Sequence, residues 1–419
     1  ALLLGRDHRL CHGHDSAGHG VPDRIKRRTA GITFKQTNES WSAIIGNRNP
    51  YRPENPEPNL FVLCGRTGFC HAEIRVEEIG TVTGEWDRRA SEIKAIGESS
   101  RFDRHRNPRI SVLLPTYMRL DALERTLLAL EKQSLSHADY EVVVVDDGSR
   151  DGTEAFLQTF AESTGLQFVY VVLKENGGPA RARNFGLSRC QANVVMIIGD
   201  DIEPVSDLVA MHLHSHEQNP DSEHALLGHV SFPQELKPTA FMRWLEQGGR
   251  KYFFNYQDLM PGKEAGPLFF YTCNVSVKKA LLDRTGWFDE SFPYASHEDL
   301  ELGYRLAGHG MKMIYLPQAT GSHFHMLTIQ GITRRIYLMG YSAELFWQKV
   351  GDRGGRLRQT LRSLISHTVS TPPGVALWRR LAKKQFDENK QYPIQWHTLL
   401  ALSFFIGLFD SKRGKAPRV

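Results

Sequence analysis

The stretch "VVVVDDGSRDGT", residues 142–153, decides how the middle of the chain is read. Four β-branched residues without polar alternation predict a strand buried on both faces, as in a parallel sheet covered by helices on each side. Asp-Asp-Gly-Ser then ends the strand with turn chemistry and leaves Asp146 and Asp147 at its carboxyl end. In open α/β sheets that edge is where ligands bind.

More strands of the same kind lie to either side. "RISVLLPTY" (109–117) reads as a strand, and "RLDALERTLLALEKQ" (119–133) as an amphipathic helix with Leu123, Leu127, Leu128 and Leu130 on its apolar side. Helix "GTEAFLQTFAES" (152–163), strand "QFVYVVL" (167–173), the helix opening "GPARARNFGLSRC" (178–190) and strand "NVVMIIGDD" (193–201) follow. Strands alternating with helices of this length mean βαβ units and a parallel sheet. Beyond 217 the pattern loosens. "ALLGHVSF" (225–232) and "PLFFYTCNVSV" (267–277) remain strand candidates, "SHEDLELGYRLAGHG" (296–310) a helix and "MKMIYLP" (311–317) a closing strand. The fold class is therefore α/β, a Rossmann-like, mostly parallel sheet flanked by helices, with a C-terminal helical extension. Three regions are expected: a poorly structured segment over 1–107 whose role is unreadable, the α/β domain over 108–330, and a basic helical region over 331–419.

Charge separates these regions. The 419 residues carry a net +5, yet residues 331–419 hold 16 Lys/Arg against 5 Asp/Glu, a local +11 that leaves −6 for residues 1–330. A basic tail on an acidic body suits an anionic surface such as a membrane face. No nucleic-acid recognition module is visible, so nucleic acid is not an expected partner. The apolar stretch "WHTLLALSFFIGLF" (396–409) is shorter than the roughly 20 residues that span a bilayer. It reads either as an interfacial segment beside Lys412, Arg413, Lys415 and Arg418, or as a terminal helix packed on the body. Five scattered cysteines argue against a disulfide framework and for a reducing compartment. With no signal-peptide pattern at the start, a cytoplasmic location is expected, peripheral to the membrane if the tail binds it. "CHGHDSAGH" (11–19) and "CGRTGFCH" (64–71) invite a zinc reading, but their spacing is not that of a zinc ribbon, and disorder reads better.

A second acidic strand end, Asp200-Asp201 in "IIGDDIEP", joins Asp146-Asp147 at the same sheet edge. Carboxylates gathered there repel one another unless a cation sits among them. Mg2+ or Mn2+ bridging a diphosphate supplies that charge. Neither phosphate-binding glycine loop, Walker or dinucleotide, follows the first strand. Taken singly, each Asp-Asp pair also reads as a plain turn.

The ordered set "ISVLLPTYMR", "VVVVDDGSRDGT", "NGGPARARNFGL", "MIIGDDIEP", "GWFDESF" and "HEDLELGYRLAGHG" resembles the family 2 glycosyltransferases, inverting nucleotide-sugar enzymes of the GT-A fold. The resemblance covers about 110–350. It implies that Pro115, Thr116 and Tyr117 line the nucleotide pocket, that Asp147 beside Asp146 reads the base edge, and that Arg181 and Arg183 lie near the diphosphate. It places Asp201 as the metal ligand of the Asp-x-Asp position, Asp200 toward the ribose or phosphate, and Gly199 where the family often has Asp. Asp299 falls on the aspartate that serves as general base, with Glu298, Asn274 and Trp287 beside the acceptor. His323 of "GSHFHM" is the candidate further metal ligand, His325 a weaker one, and imidazole beside carboxylate favours Mn2+ over Mg2+. Ser296 to Asp299 also has the spacing of a helix capping box, and Glu301 to Arg305 that of an ordinary helical ion pair.

The reading is a metal-dependent inverting transfer of a sugar from a nucleotide-diphosphate donor, UDP-sugar by default, to a glycan or lipid-linked acceptor in cell-surface polysaccharide synthesis. Two alternatives stand beside it. Gly199 motivates a non-catalytic nucleotide-sugar-binding or scaffold protein on the same fold. A nucleotidyltransferase would release pyrophosphate instead, but lacks the glycine loop it needs.

Overall fold

The computed structural model describes residues 32–37, 40–45 and 89–417, apart from 104, 106, 248, 250, 251, 293, 352–354 and 388 and the side chains of 32–37, 40–45 and 355–359. Both zinc-like clusters lie outside the described residues. Strands β1 (Ile32–Thr37) and β2 (Ser40–Ile45) pair antiparallel in a unit of their own.

The larger unit runs β3 (Ile93–Glu98), β4 (Ile110–Thr116), α1 (Leu120–Glu131), β5 (Tyr140–Asp146), α2 (Thr153–Ser163), β6 (Gln167–Leu173), α3 (Pro179–Leu187) and β7 (Val194–Ile198). It continues through β8 (Ile202–Pro204), α4 (Leu208–Gln218), β9 (His224–Ser231), α5 (Ala240–Gln247), β10 (Glu264–Ala265), β11 (Asn274–Lys278), α6 (Lys279–Thr285), α7 (Glu298–Gly308) and β12 (Lys312–His323). Four helices close it: α8 (Ile329–Val350), α9 (Gly355–Val369), α10 (Pro372–Ala382) and α11 (Pro393–Lys412). The 10-stranded sheet has the order β10-β12-β9-β11-β7-β4-β5-β6-β3, with β8 on β12. Strands β7, β4, β5 and β6 are parallel neighbours, while β3, β8, β10 and β11 run against them.

The apolar run behaves as its composition requires. All of Val142–Val145 is buried; Val143 and Val145 pack with Leu113 and α3, Val142 and Val144 with Leu123, Leu127 and Leu157 on the opposite face. Each fully buried valine contributes about 1.5 kcal/mol of hydrophobic stabilisation, so a polar residue at any of these positions disrupts a covered face rather than an exposed one. On α1, Leu123, Leu127 and Leu130 are buried as expected, but Leu128 is 42% exposed, one position around from the covered stripe.

Strand β4 carries β5 on one side and β7 on the other, so the chain reverses its winding direction there. The crevice outside the carboxyl ends of β4, β5 and β7 is the switch point at which open α/β sheets bind ligands. Both acidic pairs end strands at this crevice.

Three expected boundaries shift. The segment 93–98, assigned to the unstructured N-terminal region, is edge strand β3 on β6; its half-exposed alternation, with Lys94 and Glu98 outward, is too short to register in the sequence. In 267–277 only the end from Asn274 is strand, because Pro267–Phe269 makes a 3-10 turn. Helix α8 begins before 331 and packs along α11. A Cβ on Gly340 would lie 1.9 Å from the Phe404 carbonyl oxygen, and one on Gly407 2.0 Å from that of Tyr337, so these glycines set the helix crossing. Of the two readings of 396–409, the packed one holds: Trp396, Leu399, Leu400, Ile406 and Leu408 are buried.

Candidate active site

The crevice is a hollow of about 730 Å3 lined by Pro115, Thr116, Tyr117, Asp147, Arg183, Asp200, Asp201, Glu298, Asp299 and His323, among others. Asp147, Asp201 and Asp299, 152 residues apart from first to last in the numbering, therefore face one shared space.

The Asp-Asp-Gly-Ser turn builds the first wall. Asp146 accepts from the Ser149 amide at 2.9 Å and is fully buried beneath the turn rather than lining the hollow. Gly148 has φ +78, and a Cβ there would meet the Glu175 backbone carbonyl carbon at 2.9 Å. Both requirements select glycine. Asp147 turns the other way and accepts from the amides of Gly177 (2.9 and 3.1 Å) and Gly178 (2.7 Å), so it shapes the loop that opens α3. Burial raises its carboxyl to about 6 against the pull of those amides and of Arg181. Asp151 completes the segment, accepting from the amides of Leu120 (3.1 Å) and Thr153 (3.2 Å) at the starts of α1 and α2.

The second wall follows β4 and β7. Tyr117 is 46% exposed, an aromatic face open to the hollow. Met118 then adopts φ +55, a rare conformation for a side-chain-bearing residue, with its amide held by Ser149 Oγ at 2.7 Å. This turn swings Arg119 onto the acidic pair: its Nη1 lies 2.5 Å from Asp201 Oδ2 and 3.3 Å from Asp200 Oδ1. Thr116 Oγ1 donates to Asp200 Oδ2 at 2.8 Å. Burial and the Asp201 charge raise Asp200 to about 6. Asp201 is held well below the usual carboxylate range: burial opposes this, but His323, His325 and Arg119 outweigh it. At Gly199 a Cβ would sit 3.0 Å from Asp201 Oδ1 and 3.1 Å from the Ile202 side chain, so a side chain there would crowd Asp201.

Strand pairing supplies the histidines. His323 ends β12 opposite Ile202 of β8, the residue after Asp201. Its Nε2 lies 3.2 Å from Asp201 Oδ2, and His325 Nδ1 lies 3.2 Å from the same oxygen. Phe232 and Phe253 stack near-parallel to the His323 ring and fix its plane. The ligand atoms of Asp201, His323 and His325 all lie within 4.8 Å of one another, one carboxylate oxygen and two imidazole nitrogens. That donor set fits a borderline divalent ion, Mn2+ better than Mg2+. His325, weighed below His323 from sequence, is placed equally well.

Helix α7 forms the third wall. The Ser296–Asp299 capping box is not made: Glu298 reaches back to the Ser296 amide at 2.8 Å, and the Ser296 hydroxyl bonds Ser342 at 2.6 Å. Glu298 also pairs with Arg183 at 2.9 Å. Asp299 accepts only from the Leu300 amide, at 2.8 Å, among its described hydrogen bonds. Burial first and then the Glu298 charge raise it to about 7, against Arg183, the Leu300 amide and Arg335. The expected Glu301–Arg305 pair is present, and Arg305 extends it to the carbonyls of Thr285, Gly286 and Trp287.

Not every sequence candidate reaches the hollow. Asn274 is fully buried, donating to the carbonyls of His229 (3.0 Å) and Ala319 (2.9 Å) and accepting from or sharing with His212 at 2.9 Å. Trp287 donates to Asp283 at 2.9 Å beside α6, outside the lining. Both are structural here. Arg181 pairs with Glu92 at 2.7 Å behind Asp147. Sequence reasoning missed Arg119 and the pair Arg334 and Arg335, which project from the second turn of α8 into the lining. Arg334 and Arg335 are exposed and have no ion-pair partner among the described residues.

Residues 111–281 match the glycosyl transferase family 2 domain. A validoxylamine A glucosyltransferase of Streptomyces hygroscopicus subsp. jinggangensis is 31% identical over 235 residues, 51% of this chain and 55% of that protein. A chondroitin synthase of Escherichia coli is 29% identical over 266 residues, 58% of this chain and 38% of its own length. The chain thus spans about half the length, or less, of these relatives. Among solved structures, the mannosyltransferase PcManGT of Pyrobaculum calidifontis, in complex with GDP-Man and Mn2+, aligns with a TM-score of 0.46 at 19% identity, covering 80% of this chain and 95% of that one.

Proposed function

From a chain whose residues 111–281 form a glycosyl transferase family 2 domain, we propose a metal-dependent inverting transfer of a sugar from a nucleotide-diphosphate donor, UDP-sugar by default, to a glycan or lipid-linked acceptor in cell-surface polysaccharide synthesis. The observation that carries this reading is the convergence of Asp147, Asp200, Asp201 and Asp299 on one hollow, with His323 and His325 beside Asp201.

Asp201, His323 and His325 would hold Mn2+ or Mg2+, which when bound stabilises negative charge on the leaving diphosphate. Tyr117 offers a ring for the base to stack on, with Pro115 and Thr116 beside it in the lining. Asp147 holds the Gly177–Gly178 loop and keeps acceptor capacity for the base edge. Arg181 and Arg183 are committed to Glu92 and Glu298, so the cations left to meet the diphosphate are Arg334 and Arg335. Asp299, raised to about 7, is matched to accept a proton from an acceptor hydroxyl near neutral pH. An inverting displacement needs that one base opposite the leaving group, and α7 brings Asp299 into the same hollow as Asp201. The reaction is assigned to the cytoplasmic face of a membrane, where lipid-linked acceptors are met.

The test is a mass-spectrometric donor screen with UDP-, GDP- and dTDP-sugars, with and without Mn2+. Nucleoside diphosphate is expected from one donor class only when Mn2+ is present. Pyrophosphate as product, or tight UDP binding without turnover of any donor, overturns the assignment.

A further inference from the structure

We propose that helix α9 docks the protein on an anionic lipid surface by laying Leu361, Leu364 and Ile365 into it. These side chains are 48%, 62% and 42% exposed and recur at i, i+3 and i+4, one stripe on one face. The adjoining side of the helix is already in use: Ser366 is buried, Arg362 lies 3.9 Å over the Trp347 ring of α8, and Val369 packs beside Trp378 of α10. The outward stripe therefore belongs to a helix anchored on the body.

Charge selects the occupant. Residues 331–419 carry the local +11, and exposed Arg379 and Arg380 in the last turn of α10 are followed by exposed Lys383 and Lys384, with Leu377 44% exposed in the same helix. Exposed apolar side chains in so basic a region match an anionic bilayer face, where an apolar insertion and basic attraction together give stable but reversible attachment. The stretch 396–409, whose composition suggested an interfacial role, is spent on packing against α8, and no described helix is long and apolar enough to cross a membrane. Among the described residues the proposed attachment lies in α9. This inference does not depend on the transfer reaction.

The test is co-sedimentation of the full chain with vesicles of phosphatidylcholine alone or mixed with phosphatidylglycerol. Binding is expected only to the mixed vesicles, weakening with added salt, and dropping about tenfold or more in the triple variant Leu361→Ser, Leu364→Ser, Ile365→Ser. Circular dichroism melting checks that this variant folds. Independently, Leu364→Trp should shift its emission to shorter wavelength, relative to wild type, on adding anionic vesicles. Equal binding by the triple variant, no emission shift, or a wild-type dimer that the triple variant abolishes without vesicle binding would each overturn the proposal, the last by assigning the stripe to a second copy.

Discussion

Replacing Asp299 with Asn tests the base most sharply, because the structure sets both the size and the pH of the effect. Burial and the neighbouring Glu298 raise the Asp299 carboxyl to about 7, while Arg183, the Leu300 amide and Arg335 hold it from rising further. A base must be ionised to act, so about half the enzyme is competent at pH 7 and about one-tenth at pH 6. Hence kcat/KM of the wild type should rise about fivefold between pH 6 and 7, then less than about twofold above it. Asp299→Asn keeps the shape of the side chain but cannot take the proton; kcat should fall about 100- to 10,000-fold while donor affinity stays within a few-fold. Arg183→Gln removes a cation that lowers Asp299 and leaves Glu298 uncompensated, so its acid limb should move to higher pH. The assay is steady-state release of nucleoside diphosphate across pH 5 to 9. An acid limb near the ordinary aspartate range, or an Asn variant within tenfold of wild type, refutes Asp299 as the base.

Arg119→Gln should tighten Mn2+ binding measured by calorimetry. The guanidinium occupies Asp201 Oδ2, but its 41% exposure lets water screen the pair to about 1 kcal/mol, or roughly fivefold in affinity; weaker binding would show that Arg119 organises the ligands instead. Gly340→Val drives a side chain into the Phe404 carbonyl, so thermal melting should reveal a loss of about 1–3 kcal/mol or more, and an unchanged midpoint contradicts the close crossing of α8 and α11. His212 and His216 are buried and lowered to about 4 and about 2, so their folded state resists protonation that the unfolded chain accepts below about 6.5. Their stabilisation is complete above that pH and is lost as pH falls, toward 4 for His212 and toward 2 for His216, with His212 alone costing about 2 kcal/mol by pH 5; urea midpoints equal at pH 7 and 5 contradict this.

What could be read from sequence was what local chemistry fixes. Val142–Val145 announces a doubly covered strand, and Asp-Asp-Gly-Ser a turn at its end, because each signal is contained within a few residues. Asp200-Asp201 repeats the signal two strands away, on the far side of β4, so both acidic ends reach one crevice. Asn274 shows the limit: β11 runs antiparallel beside β7, so the residue opposite Ile198 lies within the sheet and finds His212 rather than the hollow. Arg334 and Arg335 look like ordinary surface charges on α8 until that helix is seen to start at the rim. Arg119 had a faint signal, a lone cation just after the first strand end, but its contact with Asp201 depends on the left-handed turn at Met118, which composition does not announce.

The central claim is that the carboxylates of the sheet rim coexist because a divalent ion and a diphosphate sit among them. Electron paramagnetic resonance of Mn2+ titrated into the protein with UDP tests it directly. One Mn2+ should bind per chain, more tightly with UDP present, and Asp201→Asn and His323→Ala should each abolish the bound signal while leaving the fold intact. UDP binding that is indifferent to Mn2+ and to both substitutions would contradict it.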